Sequence, residues 1–340
     1  MCAECDCHTW FDLTRVGLQG EGCIRNPAFL SSVHVPCTQN PINQHTYIQT
    51  GTKTLQWVSN LPGSTFSRVE LGNRLVAVPG RSFKSQNVFI KRPLLPGKSL
   101  LHEACIQQIV KDSLDRGKFV RGAASVYDIF RLGDGSVAFS MEIFEEAKPL
   151  SVLLKTLADA DLTAMILELL FQLSAMMWHL HTDLGMNHRD LKPSNIMIEP
   201  HDPHPLRLEV DRDVVTIQSR FRISLVDFGF SCIGKPETQK SDITIGDVYS
   251  VHDPCPKDGR DLYMFLAFLY MDCGKRMSPD LRSYFAKWLQ NDVTGVISKI
   301  DRLGHDFNTW IYFIGGNEGI KQFDCNPKRI FTDLRLLAQP

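Results

Sequence analysis

Neither sign of charge is in excess: 37 Lys and Arg face 38 Asp and Glu over 340 residues, for a formal net charge of −1. Proteins that hold nucleic acid or an anionic membrane surface carry a marked basic surplus, so no nucleic-acid partner is expected. Cysteine is also sparse, at 10 residues without a regular spacing. The first ten residues lack the basic stretch followed by an apolar run that marks a secretory signal. A soluble, intracellular (cytoplasmic) protein with reduced thiols is the expectation. No tandem repeat or low-complexity tract is visible. Apolar residues make up 43% and charged residues 22%, which predicts a packed core rather than a disordered chain. One apolar run, 162–181, reaches bilayer length. It carries Glu168 and Gln172 near its middle, and Leu162, Ile166, Leu169, Leu170, Leu173, Met176, Met177 and Leu180 recur at helical spacing. That is the pattern of a helix buried in a large soluble domain, so no membrane partner is expected.

Residues 1–55 are rich in Cys, Asn, Pro and Gln with weak periodicity, and read as an irregular N-terminal extension of unknown role. Cys2-x-x-Cys5, followed by Cys7, His8, Cys23 and Cys37, invites a structural Zn²⁺ site. Only the first pair has diagnostic spacing, so free thiols are the favoured reading. Residues 56–144 form a β-rich unit, with strands expected at 66–69, 75–78, 88–91 and 137–141 and one helix near 99–114. Residues 145–340 are mainly helical, with strand-like runs at 196–198, 206–210, 214–218 and 223–226. The stretch 199–222 reads as an inserted hairpin whose Pro- and His-rich start is a solvated turn rather than a metal site. The fold class is α+β in two units.

The chemistry is densest in Asn187-His188-Arg189-Asp190-Leu191-Lys192-Pro193-Ser194-Asn195, directly after the long helical pattern. An Asp on such a loop can take or orient a hydroxyl proton. A Lys two residues on can neutralise a transferring phosphate, and an Asn five residues on can hold a divalent cation. This is equipment for phosphoryl transfer. A second acidic turn, Asp227-Phe228-Gly229, ends the apolar run 223–226, where an Asp can bind Mg²⁺.

With HRDLKPSN and DFG in this order, the sequence resembles the eukaryotic-type protein kinase superfamily over roughly residues 56–335. The resemblance implies a bilobal fold, a small β-rich N-lobe with one helix (56–144) and a larger helical C-lobe (145–340). Val88-Phe89-Ile90-Lys91 matches the strand whose Lys meets the nucleotide phosphates, and Glu103, 12 residues on, matches its helix partner. Ser140 to Phe144 looks like the strand and hinge between lobes, with Met141 at the gatekeeper position. Residues 150–154 and 161–181 resemble the short helix after the hinge and the long helix before the catalytic loop. Asp261 resembles the buried Asp that anchors that loop, although a dipole-stabilised N-terminal Asp would read the same way.

Departures are equally visible. The phosphate-covering loop L-G-x-G-x-F-G-x-V is best matched by 61–69, which keeps Leu61, Phe66 and Val69 but has Pro62, Ser64 and Ser67 for glycines. A competing register, Leu71-Gly72-Asn73-Arg74, keeps one glycine. Phe89 replaces the small residue over adenine, and no A-P-E motif lies between Gly229 and Asp261. Thr238 and Thr244 are candidate phosphosites that Arg189 could meet.

The resemblance implies a Ser/Thr protein kinase using ATP and Mg²⁺ (or Mn²⁺) on protein substrates, Lys192 being the form seen in Ser/Thr kinases. Asp190 and Lys192 would be catalytic. Lys91, Glu103, Ser64, Phe66, Val69, Met141, Glu142 and Met197 would line the nucleotide, and Asn195 and Asp227 would hold the metal. The degraded glycine loop, Phe89 and the missing A-P-E motivate an alternative, a pseudokinase-type scaffold. A small-molecule kinase is a third reading, disfavoured by the full HRDLKPSN text.

Overall fold

In the computed structural model of the protein, the described residues are 45–48, 67–76, 84–131, 136–235, 240–243, 253–316 and 325–337. The architecture is α+β, and the chain divides into two compact units, residues 1–112 with 123–145 and residues 113–122 with 146–340.

The first unit is built on an antiparallel sheet with strand order β1-β2-β3-β5-β4. Its strands are β1 (His45–Ile48), β2 (Ser67–Val76), β3 (Lys84–Pro93), β4 (Val126–Arg131) and β5 (Val137–Met141). Two expectations change here. The runs 66–69 and 75–78 merge into the single strand β2, and Leu71–Arg74, the competing glycine register, lies inside it, with Gly72 opposite Val88. A strand-interior Gly is tolerated because the ladder to β3 supplies the order its own propensity lacks. The stretch read as irregular also contains β1, whose His45 pairs with Val76 and Ile48 with Asn73. Four residues make a strand only when a partner offers its hydrogen bonds, which no local pattern reveals.

Helix α1 (Leu101–Arg116) follows β3. Two buried glutamines orient it: Gln107 Nε2 donates to the Ala124 carbonyl at 2.9 Å, and the Val126 N–H donates to Gln108 Oε1 at 3.0 Å. Val88, Ala104, Val110, Ala138 and Phe139, from the helix and the sheet, are fully buried.

In the second unit, β6 (Lys148–Pro149) and α2 (Leu150–Thr156) lead into α3 (Asp159–Leu184). Helix α3 is long and apolar enough to cross a membrane, but 72% of its apolar window is buried within the protein. Its polar interruptions have partners. Glu168 Oε1 accepts from the Arg220 N–H at 2.7 Å and the Ser219 hydroxyl at 3.0 Å, and Gln172 Nε2 donates to the Phe221 carbonyl at 2.8 Å. Both side chains clamp the inserted hairpin to the helix.

That hairpin is longer than the sequence pattern suggested. The four strand-like runs fuse into β8 (Ile196–Val210) and β9 (Asp213–Leu225), joined at Asp211-Arg212 with Asp211 at φ 56°. The pairing slips only between Pro200 and His204, where prolines cannot donate to the ladder. His201 and His204 stack in this exposed bulge. Helix α4 (Arg260–Cys273), almost wholly buried, forms the centre of the unit. It is followed by α5 (Pro279–Trp288), α6 (Asn291–Thr294), α7 (Val296–Leu303), α8 (Asn308–Gly316) and α9 (Pro327–Leu337). Ion pairs Lys328 to Asp211 and Arg335 to Asp213, each 2.6 Å, tie α9 to the hairpin tip.

A third small sheet joins β7 (Met186–Asn187), β10 (Cys232–Lys235) and β11 (Lys240–Ile243). The expectation of reduced thiols fails at one place. Cys232 and Cys255, 23 residues apart, form a disulfide, while Cys105, Cys273 and Cys325 are buried outside any disulfide. Loop-closure entropy for such a span is worth about 3 kcal/mol. Cys255→Ser is therefore expected to lower stability by about that amount in urea unfolding, and an unchanged midpoint would show that the bond does not constrain the chain.

Candidate active site

The loop that carries the motif begins where α3 stops. Gly185 adopts the left-handed conformation (φ 57°) and its N–H caps the His181 carbonyl, a helix end that glycine reaches at no steric cost. Two residues of β7 turn the chain inward. The next backbone groups are held by Asp261, in the first turn of α4. Its carboxylate accepts from the His188 N–H and the Arg189 N–H, each at 2.8 Å, and from Asn187 Nδ2 at 3.1 Å. Asp261 is therefore the buried anchor of this loop as well as a helix N-terminal acid.

Arg189 sits at φ 63°, a strained setting for a non-glycine residue. Its buried guanidinium pairs with Asp253 at 2.7 Å, and Asp253 also pairs with Arg260 at 2.6 Å. The sequence had suggested a phosphate on Thr238 or Thr244 as the partner of Arg189. Both threonines lie outside the described residues, and a carboxylate of the chain itself takes that place.

Asp190 is the hub of the loop. Lys192 Nζ donates to both of its carboxylate oxygens at 2.9 Å. Asn195 Nδ2 donates to the Asp190 carbonyl at 2.8 Å and to Oδ2 at 2.9 Å. The short 3₁₀ turn Pro193–Asn195 brings the amide back over the Asp. A residue that sequence reasoning missed completes the cluster. Tyr312, on α8, donates its hydroxyl to Asp190 Oδ1 at 2.6 Å and accepts from Lys192 Nζ at 3.2 Å. Its ring meets Phe268 of α4 edge-on at 5.4 Å, and the Lys192 ammonium lies 5.9 Å from the ring centre. Nothing near position 312 signals this, because the contact spans 122 residues.

The strand β9 delivers the second acid. The Val226 N–H donates to the Asn195 carbonyl at 3.1 Å, which stitches the two loops together just before Asp227 (φ 67°). Phe228, fully buried, packs on the His188 ring at 5.2 Å, and His188 Nε2 lies 3.1 Å from the Val226 carbonyl, so that nitrogen carries the proton. The Asn195 amide nitrogen is committed to Asp190, and its Oδ1 accepts from the Ser194 hydroxyl at 3.4 Å. An amide oxygen and a carboxylate are hard donors of the kind that could hold Mg²⁺. Among the described residues no group of three or more His, Cys, Asp or Glu side chains comes together as a metal site. The Cys and His residues of the zinc reading lie outside the described residues.

In the first unit, Lys91 on β3 and Glu103 on α1 form a buried ion pair at 2.5 Å. Val69 of β2 is opposite Lys91 in the ladder, and Phe89, buried, is opposite Met141. Gln107 Nε2 reaches the Met141 sulfur at 3.5 Å. The Glu142 N–H donates to the Ser125 carbonyl at 3.0 Å, and its carboxylate accepts from the Ser125 hydroxyl at 3.1 Å. That N–H is thus engaged within the chain rather than offered to a ligand. Met197 is buried in β8, opposite Ser224 and Pro149, in the second unit. Ser64 and Phe66 lie outside the described residues. No protein-family model matches the chain, and neither does any curated protein.

Proposed function

We propose that this chain is a divergent protein kinase that transfers the γ-phosphoryl group of ATP to Ser or Thr hydroxyls of protein substrates. The observation that carries the reading is Asp190, a buried carboxylate bonded by Lys192 and Asn195 on a loop whose backbone hangs from Asp261. Asp190 takes the proton of the acceptor hydroxyl as that oxygen bonds to the γ-phosphorus and the bond to ADP breaks. Lys192 neutralises charge on the phosphoryl group in flight. Lys91, held by Glu103, supplies positive charge to the α- and β-phosphates. Asn195 and Asp227 would hold Mg²⁺, whose charge offsets that of the nucleotide. Among the described residues, the five-stranded antiparallel sheet with one helix, followed by a mainly helical unit, supports the same class.

A binding scaffold without catalysis is the competing reading, favoured by Tyr312 on Asp190 and by the engaged Glu142 N–H. The two part in one assay: purified protein with labelled ATP, Mg²⁺ and a generic basic protein, beside Asp190→Ala. Label on Ser or Thr above that control is the expected result. No transfer, with no thermal shift on adding Mg²⁺ and ATP, refutes the kinase reading, and dominant phosphotyrosine refutes its Ser/Thr part.

A further inference from the structure

Tyr312 occupies the place that an acceptor hydroxyl needs. A general base works on a hydroxyl within about 2.6–3.2 Å of it, and Tyr312 Oη lies 2.6 Å from Asp190 Oδ1. The lysine that would steady the phosphoryl group, Lys192, donates to the same phenol oxygen at 3.2 Å. Lys192 donates to both Asp190 oxygens, and Oδ2 also accepts from Asn195, which makes Oδ1, the oxygen without a second partner on its own loop, the one that an incoming hydroxyl would use. The Asp190 side chain is only 4% exposed. The phenol is not a loose surface group: its ring is seated on Phe268, and neighbouring Ile311 is fully buried. All of these residues belong to the second unit.

We infer that Tyr312 is an internal occupant of the acceptor-hydroxyl subsite, which a Ser or Thr side chain of a protein substrate must displace. Tyr312 thereby sets the apparent affinity for the acceptor without serving as an acceptor itself. This rests on the kinase reading above. A phenol on a packed helix suits the role, because the helix holds the hydroxyl in place while a ring rotation or a small shift of α8 releases it. The displaced bond is one to a charged carboxylate, whose loss is worth about tenfold in a binding constant.

The test uses the full chain and compares it with Tyr312→Phe, which removes the hydroxyl and keeps the ring on Phe268. The KM for a basic protein acceptor is expected to fall about tenfold, with the KM for ATP unchanged. A second variant, Phe268→Leu, loosens the ring without touching the hydroxyl, and a smaller fall in acceptor KM is expected. Intact-mass and peptide analysis after incubation with Mg²⁺ and ATP should find no phosphate on Tyr312. If the parent chain transfers phosphate and both variants keep its acceptor KM, the inference falls while the kinase reading stands. Phosphate on Tyr312 overturns it too, making the residue an acceptor. If neither the parent nor Tyr312→Phe labels any acceptor, the kinase reading fails and the inference falls with it.

Discussion

Replacing Asp190 by Asn is expected to slow phosphoryl transfer by about 10³-fold while leaving the protein folded. The amide has nearly the same shape, so Lys192, Asn195 and Tyr312 keep a neighbour of the right size. It cannot take a proton, and general-base assistance is worth 10² to 10⁴ in rate, so about 10³ is the central value. Initial rates at saturating ATP, beside a thermal unfolding curve, measure both halves of the prediction. A variant that retains more than roughly a tenth of the rate would remove Asp190 from the role of base.

Asp261→Ala is expected to cost about 4 kcal/mol of stability and to abolish transfer as well. The carboxylate is 4% exposed and serves three donors, the backbone N–H groups of His188 and Arg189 and the Asn187 side chain. Each donor left unsatisfied in the interior costs about 1–3 kcal/mol. The motif loop also loses the anchor that fixes its backbone one residue before Asp190. Asp261→Asn keeps one acceptor oxygen and should lose about half as much. Urea unfolding of the two variants checks the order; an unshifted midpoint for the Ala variant would show that the loop is held by something else. The result also separates two readings that the sequence left level, since an acid acting only through the helix dipole would cost well under 1 kcal/mol.

Much of the candidate site was legible where one short stretch of chain contains several functional groups. Asp190, Lys192 and Asn195 lie within six residues, and a loop followed by a 3₁₀ turn has few ways to arrange them. The 12-residue interval from Lys91 to Glu103, a strand followed by a helix, anticipated their ion pair. The hairpin was expected from the surplus of chain between Asn195 and Asp227 and from its short strand-like runs, and only its length was underestimated, because Pro205 interrupts the pattern while still paired with Gln218. The strand β4 was missed, since its hydrogen bonds come from β5 rather than from any marked alternation of its own.

The sequence by itself determined the α+β class, the long buried helix and the local geometry of the motif loop, because those depend on periodicity, chain direction and neighbours a few residues away. Only the tertiary structure decided who meets that loop from afar. Asp253 neutralises Arg189 from 64 positions away, the Cys232 and Cys255 sulfurs join, and Tyr312 reaches Asp190 across 122. Each contact depends on how separate helices pack, and packing is fixed by the summed burial of many side chains, which leaves no mark at the residues it brings together.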